Sequence, residues 1–296
     1  MKLHKILKRY RVDRPEHFRL ADCDPCDTCG LSLDKNTAKP LLQDGIERLS
    51  ELQQRLYADG RWALLIVFQG MDASGKDSAI KHVMSGVNPQ GCEVHRFNAP
   101  SAEELAHTFL WRASGRLPAR GRIGIFNRSY YEDVLIVRVH PELLEHQKLP
   151  HVGKHIWNRR FEDIGAFERH LIRNGTTILK FHLAISKDEQ RQRLLARLDE
   201  PSKRWKFSMD DIVERRLWDS YMTAYEDMIR ATSMEEAPWY VIPADNKWFA
   251  WLAVAAVVIE TLEGLDLKFP VVQGKALAEL KKVRRALLAE GRHRSR

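Results

Sequence analysis

The stretch Gly70-Met-Asp-Ala-Ser-Gly-Lys-Asp77 decides the fold, because it is a glycine loop placed directly behind an apolar run. That run, Trp62-Ala-Leu-Leu-Ile-Val-Phe-Gln69, has the length and composition of a strand buried on both faces of a parallel sheet. A helix is predicted to begin near Gly75. Strand, glycine loop and helix in this order predict the first unit of an α/β fold.

The loop also fits the pattern G-x-x-x-x-G-K in the strand-to-helix context that gives this pattern meaning. Gly70 and Gly75 allow backbone angles that point successive N–H groups, including those of Ala73 and Ser74, into one concavity. The helix N-terminus adds partial positive charge and Lys76 a full one. The loop therefore predicts a phosphate site. The alternative, a tight turn without a ligand, leaves the lysine unexplained.

Two carboxylates in the loop are unusual for such a site. Asp77 stands where Ser or Thr normally offers a hydroxyl to magnesium, and Asp72 lies inside the anion cradle. An unpaired Asp72 would repel phosphate by several kcal/mol at short range. It becomes favourable if it binds a bridging divalent cation or takes a proton from phosphate, so we predict a catalytic or metal-binding role. The alternative is an exposed turn aspartate.

Strands and helices alternate along the rest of the chain, which predicts right-handed βαβ units and a parallel sheet of about five strands covered on both faces. The predicted strands are 62–69, 92–97, 122–126, 176–185 and 239–244. The predicted helices include 39–56, 102–111 with Ser101 as its cap, and the apolar helix 248–263. A polar helical insertion without a strand, about 187–233, separates the last two strands.

Composition places the chain among soluble globular proteins. Of its 296 residues, 44% are hydrophobic and 30% charged, which excludes collagen-like, mucin-like and wholly disordered classes. The longest apolar run, 248–259, is shorter than the ~20 residues that span a bilayer. Cations interrupt the first nine residues, so no signal-peptide core is expected. These features predict a cytoplasmic protein that does not use a membrane.

The net charge of +8 is unevenly placed. Residues 1–19 carry a net +5 and residues 275–296 a net +6, so the body between them is slightly acidic. No specific nucleic-acid surface is therefore expected on the body. We predict an N-terminal extension at 1–38, a catalytic domain at 39–268 and a basic tail at 269–296.

Three of the four cysteines, Cys23, Cys26 and Cys29, are spaced C-x2-C-x2-C. No nearby fourth thiolate or histidine completes a tetrahedral metal site. A turn-rich segment with reduced thiols is therefore favoured over a metal or cluster, and the metal-bound alternative stays open.

A second polar cluster, Phe126-Asn-Arg-Ser-Tyr-Tyr-Glu-Asp133, follows the third predicted strand. The carboxyl ends of parallel strands share one edge of the sheet, so this cluster should face the phosphate loop. Asp133 is suited to magnesium and Arg128 to bidentate binding of phosphate oxygens. The alternative is that these residues only cap the next helix.

Four stretches in this order resemble the polyphosphate kinase 2 family, relatives of thymidylate kinase. They are 70–77, 126–134, the lid-like 187–194 through 203–207, and 237–244. The resemblance spans about 35–265 and is greatest to the third subclass, which acts on nucleoside mono- and diphosphates. It implies a three-layer α/β/α P-loop kinase-like sandwich with a helical lid.

The resemblance also implies roles for single residues. Asp72 and Lys76 match the active-site pair of the loop, and Arg128 and Asp133 match the second motif, with Asp133 as the magnesium carboxylate. Asn127 and Glu132 match positions near the nucleotide. Substrate contacts are further expected from Gly70, Ala73, Ser74, Gly75 and Asp77.

The predicted lid is rich in cations that would close over substrates and exclude water. They are Arg191, Arg193, Arg197, Lys203, Arg204 and Lys206, of which Arg204 and Lys206 match lid cations of the family. Arg193 and Arg197 are four residues apart and should share a helix face. The alternative is a solvated charged helix.

Together these features predict a phosphotransferase that moves the terminal phosphoryl group of inorganic polyphosphate to AMP or ADP, reversibly and therefore with ATP as product or donor. Asp72 and Asp133 would hold Mg2+, or Mn2+ in its place, while Lys76 and Arg128 hold the transferred group. A homo-oligomer is expected. Two alternatives stay open: an ATP-dependent nucleoside or nucleotide kinase, and a non-catalytic nucleotide- or polyanion-binding protein.

Overall fold

The computed structural model describes residues 8–31 and 34–293, so residues 1–7 of the predicted extension and 294–296 of the predicted tail lie outside it. Five strands form one sheet in the order β2-β3-β1-β4-β5, and every neighbouring pair is parallel. The strands are β1 Ala63–Gln69, β2 Cys92–Arg96, β3 Ile123–Asn127, β4 Thr176–Ala184 and β5 Trp239–Pro243. The predicted parallel sheet is confirmed, and each strand end lies within one residue of its predicted position.

Twelve helices are described in the same part of the chain. They are α1 Lys35–Asp59, α2 Lys76–Val83, α3 Ala102–Leu105, α4 Trp111–Ser114, α5 Ile136–Val139, α6 Leu143–His146, α7 Ile156–Arg173, α8 Lys187–Asp199, α9 Asp210–Arg216, α10 Trp218–Thr232, α11 Lys247–Gly264 and α12 Gly274–His293. Two 3-10 turns, Tyr130–Val134 and Pro201–Lys206, contribute to the site described below. None of the described helices has the length and apolar character to cross a membrane.

The central strand β1 shows why the molecule has three layers. Its side chains alternate between two faces. Leu64, Ile66 and Phe68 belong to the apolar core formed with α1, α2 and α11, whereas Leu65 and Val67 belong to the core formed with α7 and α10. Burial on both faces explains the unbroken apolar run, and the predicted α/β/α sandwich is confirmed.

Three helix bounds differ from the prediction by more than one residue, and one of them is the end of the first helix at Asp59 instead of 56. The first helix begins at Lys35, ahead of the predicted start at 39, because Asp34 and Thr37 form a capping box. The predicted box of Ser101 and Glu104 is present. However, the predicted helix 102–111 was too long: α3 ends at Leu105, where i→i+3 hydrogen bonds tighten the last turn.

The N-terminal segment packs against the edge of the sheet. Val12 N donates to Trp239 O at 2.9 Å, and Arg11 forms an isolated antiparallel bridge with Tyr240. The four cysteines are free thiols, and Cys26 Sγ donates to Asp245 Oδ2 at 3.2 Å. This segment is therefore attached to β5 and to the loop that follows it.

Gly124 in β3 offers a test of packing in the sheet. A Cβ at this position would lie 2.8 Å from Cδ of Pro118, and β3 is held by strands on both sides. We expect Gly124→Ala to lower the free energy of unfolding by about 1–3 kcal/mol through overpacking. Gly115→Ala is the control, because no described atom lies within 4 Å of its added Cβ. Urea unfolding measures the free energy of unfolding of both variants, and equal stability of the two would contradict the expectation.

Candidate active site

The phosphate loop is held in a conformation that requires glycine at its start. Gly70 has a φ of +147°, and a Cβ there would lie 2.8 Å from Leu183 O. Gly75, with a φ of +108°, precedes the first residue of α2. Lys76 is 8% exposed, and its Nζ donates to Gly70 O at 2.6 Å and to Met71 O at 3.1 Å. The lysine is thus folded back over the loop that it follows.

The second cluster leaves the sheet beside this loop. Phe68 of β1 pairs with Asn127 of β3 in the parallel register, and Arg128 N donates to Phe68 O at 3.0 Å. Two side-chain contacts then join the loops. Arg128 Nη2 lies 2.6 Å from Asp72 Oδ1, and Asn127 Nδ2 donates to Asp77 Oδ1 at 2.6 Å. The structure therefore brings together the two motifs that the sequence placed at one edge of the sheet.

The ion pair changes the electrostatic reasoning about Asp72. Burial alone would raise the pKa of Asp72, but Arg128 and Lys76 outweigh burial and hold that pKa below its usual range. The negative charges of Glu132, which has the larger effect, and of Asp72 raise the pKa of the Arg128 guanidinium. Asp72 is therefore balanced by Arg128 even without a metal ion, and its catalytic or metal-binding role stays a prediction.

Lys76 carries the opposite shift. Burial, assisted by repulsion from Arg128, lowers the pKa of Lys76 to about 8. A phosphate group beside Nζ would favour the charged ammonium and so raise this pKa again. An anionic ligand would therefore stabilise the charged form of Lys76.

Asp133 lies deeper, with 5% of its surface exposed. Gln147 Nε2 donates to its Oδ1 at 2.7 Å, and Arg160 Nη1 donates to its backbone oxygen at 2.6 Å. Arg160 also donates to Gln147 Oε1. Burial raises the pKa of Asp133, and Arg160 opposes this shift. Sequence reasoning missed Gln147 and Arg160, since neither belongs to a motif.

Both motifs line a cleft of about 960 Å³, a volume within the range of ligand pockets. The predicted site residues and lid cations that line it are Gly70, Asp72, Ala73, Ser74, Gly75, Lys76, Asp77, Asn127, Arg128, Glu132, Asp133, Arg193, Arg197, Lys203 and Lys206. Arg191 and Arg204 are not among its lining residues. Arg191 is exposed and lies 3.5 Å from Asp188, whereas Arg204 Nε donates to Leu198 O at 2.9 Å.

Arg193 has a different position from the one expected of a lid cation. Its guanidinium is buried and donates to four backbone oxygens, those of Ala73 at 3.0 Å, Ser74 at 2.9 Å, Ala244 at 2.5 Å and Asp245 at 3.0 Å. Arg193 also lines the cleft, but these bonds occupy its guanidinium, and closure over substrates stays a prediction for this residue. It ties α8 to the phosphate loop and to the loop after β5.

The remaining lid cations are nearer to solvent. Arg197 Nη1 lies 2.5 Å from Asp211 Oδ2. In the 3-10 turn Pro201–Lys206, Lys206 Nζ stands 5.1 Å from the ring centre of Trp205, which is 77% exposed. Lys206 also lines the cleft, so this turn offers a cation at the mouth of the site.

Two carboxylates are available for a metal ion. Asp72 and Asp133 each use carboxylate oxygen Oδ1 for the hydrogen bonds and ion pairs that they form with the described residues. No group of three or more His, Cys, Asp or Glu side chains in the described part of the chain is arranged for a metal. Mg2+ is commonly held by one or two carboxylates together with substrate phosphates. Both residues line the cleft and each has a carboxylate oxygen outside these contacts, so their chemistry fits such a site, while magnesium binding stays a prediction.

Residues 32–270 match the family model described as Polyphosphate kinase 2. This chain belongs to the polyphosphate kinase 2 family. The match covers most of the chain and confirms the resemblance carried by the four sequence stretches. It begins after the cysteine-containing segment and ends before α12.

Two relatives of this polyphosphate kinase 2 family member match over nearly their whole length. A Rhodopseudomonas palustris protein named ADP-polyphosphate phosphotransferase is 54% identical over 95% of this chain and 98% of its own. A Meiothermus ruber protein named AMP/ADP-polyphosphate phosphotransferase is 49% identical over 89% and 96%. The crystal structure of polyphosphate kinase 2 from Arthrobacter aurescens superposes with a TM-score of 0.87 at 42% identity, covering 96% of each chain.

The two arginines of α8 provide a matched test. Arg193→Met would leave four backbone oxygens without their donor, so we expect the free energy of unfolding to fall by about 2–4 kcal/mol. Arg191→Met removes an exposed cation from the same helix and should change it by less than about 0.5 kcal/mol. Urea unfolding measures both. Equal losses would contradict the structural assignment of Arg193.

Proposed function

We propose that this protein transfers the terminal phosphoryl group of inorganic polyphosphate to ADP and AMP, in a reversible reaction that makes ATP from ADP. The observation that carries the proposal is the single cleft in which the phosphate loop meets the cluster Asn127–Asp133. The names of relatives that share about half of its residues over almost the whole chain support the same reaction.

The chemistry asked of the protein is positioning and charge neutralisation, because phosphoryl transfer needs little covalent help. When the substrate binds, Lys76 Nζ would give up its hydrogen bonds to Gly70 O and Met71 O and donate to phosphate oxygens instead. Arg128 would hold the transferred group while Asp72 fixes the orientation of its guanidinium. Two polyanions could then approach each other in line.

We further propose Mg2+ as the cofactor, with Mn2+ as a substitute. Asp72 and Asp133 would hold the ion together with phosphate oxygens. When bound, the ion supplies positive charge that offsets the repulsion between donor and acceptor phosphates. A cation beside Asp133 would also favour the ionised carboxylate that burial disfavours.

The ATP-dependent kinase alternative is less well supported. Its magnesium ligand would be a hydroxyl after Lys76, but Asp77 occupies that position and accepts a hydrogen bond from Asn127. The arrangement couples the two motifs instead of presenting a hydroxyl. Assembly into a homo-oligomer and a cytoplasmic location stay predictions of the sequence.

A donor-specific assay tests the reaction. Wild-type protein with polyphosphate, ADP and Mg2+, without added ATP, should form ATP, and Asp133→Asn should lower the rate by about 100-fold or more, a barrier increase of about 2.7 kcal/mol. Asp44→Asn, an exposed carboxylate on α1, serves as the control and should stay within about twofold.

The failing outcomes point to different alternatives. Phosphorylation with ATP as the only effective donor would establish the kinase, and absence of transfer from any donor would establish a binding protein. Full activity of Asp133→Asn would remove Asp133 from the site.

The lid cations give a second test. Lys206 lines the cleft and Arg204 does not, so Lys206→Ala should raise the KM for polyphosphate by about fivefold, or about 1 kcal/mol of binding. Arg204→Ala should change it by less than about twofold. Both side chains are exposed, so little change in melting temperature is expected. Equal KM values in the two variants would favour the solvated-helix alternative.

A further inference from the structure

A buried polar cluster contains the first two residues of the turn Tyr130–Val134 and does not line the cleft. Its four side chains are 0% exposed: Tyr130 and Tyr131 in the 3-10 turn, Glu168 on α7 and Lys180 on β4. We call these four residues the anchor cluster. The surrounding side chains, among them Leu65 and Val67, form an apolar core. Burying polar groups in such a core costs free energy unless they are hydrogen-bonded, so their presence calls for a specific role.

The contacts within the anchor cluster converge on one carboxylate. Tyr130 Oη and Tyr131 Oη each donate to Glu168 Oε1 at 2.7 Å. Lys180 Nζ donates to Glu168 Oε2 at 2.6 Å and to Thr232 O at 2.7 Å. Burial, followed by the Glu168 charge, raises the pKa of both tyrosines well above the usual range. Their hydroxyls therefore stay protonated and act as donors.

Stability alone does not account for this arrangement. A buried ion pair loses the hydration of both charges, and apolar residues of similar size often stabilise a core equally well. The two tyrosines instead give the turn Tyr130–Val134 two adjacent attachment points, which fix its rotation as well as its position. The next two residues, Glu132 and Asp133, line the cleft.

We propose that Glu168 is a positioning residue that acts through the hydroxyls of Tyr130 and Tyr131 to set where Glu132 and Asp133 stand in the cleft. Lys180 Nζ, 2.6 Å from Glu168 Oε2, holds that carboxylate in its orientation. This inference rests on the proposed function, since it explains how the site for polyphosphate transfer is held in place. A shift of about 1 Å in such groups can lower a rate by about 100-fold.

Two double variants separate positioning from stability. Glu168→Gln/Lys180→Met and Glu168→Leu/Lys180→Met both remove the buried charges, but only the glutamine keeps an oxygen that accepts from the tyrosines. We expect the glutamine variant to keep kcat within about threefold of wild type. The leucine variant should lose about tenfold or more in kcat, with the KM for ADP within about threefold, as expected for groups that act in the transition state.

Hydrogen–deuterium exchange gives a readout that does not need turnover. Backbone hydrogen bonds protect the amides of the turn from exchange. Glu132 N donates to Ser129 O at 3.1 Å, and Leu135 N donates to Glu132 O at 3.2 Å. Peptides covering 129–135 should exchange about tenfold faster in the leucine variant than in the glutamine variant, while peptides of β1 should not differ.

Each outcome is decisive. Equal kcat or equal exchange in the two double variants overturns the proposal. Should the leucine variant not fold, Tyr130→Phe/Tyr131→Phe removes only the hydroxyls and takes its place against wild type.

Arg48→Met/Glu263→Leu is the control, because it removes an ion pair between α1 and α11 that is outside the anchor cluster, and it should stay within about twofold in kcat. If wild-type protein transfers no phosphate from polyphosphate, the proposed function fails, and the exchange comparison alone decides the inference.

Discussion

The ion pair between Asp72 and Arg128 joins the two loops on which the rest of the cleft depends. Parallel pairing of β1 and β3 brings the loops out at one edge of the sheet, and the pair then fixes the distance between them. Two cations, the buried Lys76 and the half-buried Arg128, would otherwise repel each other. The Asp72 carboxylate interacts favourably with both cations and so offsets part of this repulsion.

Unfavourable backbone conformations at this edge are held by their surroundings. Ala73 and Arg128 both have positive φ values, 61° and 62°, which cost non-glycine residues energy. Arg193 donates to Ala73 O from the lid side, and the backbone of Arg128 is bonded to β1. Because Arg193 belongs to α8, that helix is attached directly to the phosphate loop. The anchor cluster supports the second loop from below in the same way.

Most of the fold could be predicted because it depends on local patterns. Apolar runs predicted four of the five strands, whereas the more exposed β2 was predicted from the repeating strand and helix order. The glycine loop predicted the first strand-to-helix connection. The sequence also placed both motifs at one edge, since the ends of parallel strands share it. What it could not give were contacts between residues far apart in the chain. Arg193 and Arg197 were correctly put on α8, but spacing does not reveal that backbone oxygens 120 residues away hold Arg193. The pairing of Asp72 and the partners of Asp133 escaped prediction for the same reason.

The most direct test of the central interaction is a double-mutant cycle on Asp72→Asn and Arg128→Gln, with kcat/KM measured for transfer from polyphosphate to ADP. If the pair acts as a unit, the double variant should be no more than about threefold slower than the slower single variant. The two positions would then be coupled by about tenfold or more, about 1.4 kcal/mol. Effects that simply multiply would show that the two residues act independently, and would contradict the ion pair as the link between the two loops.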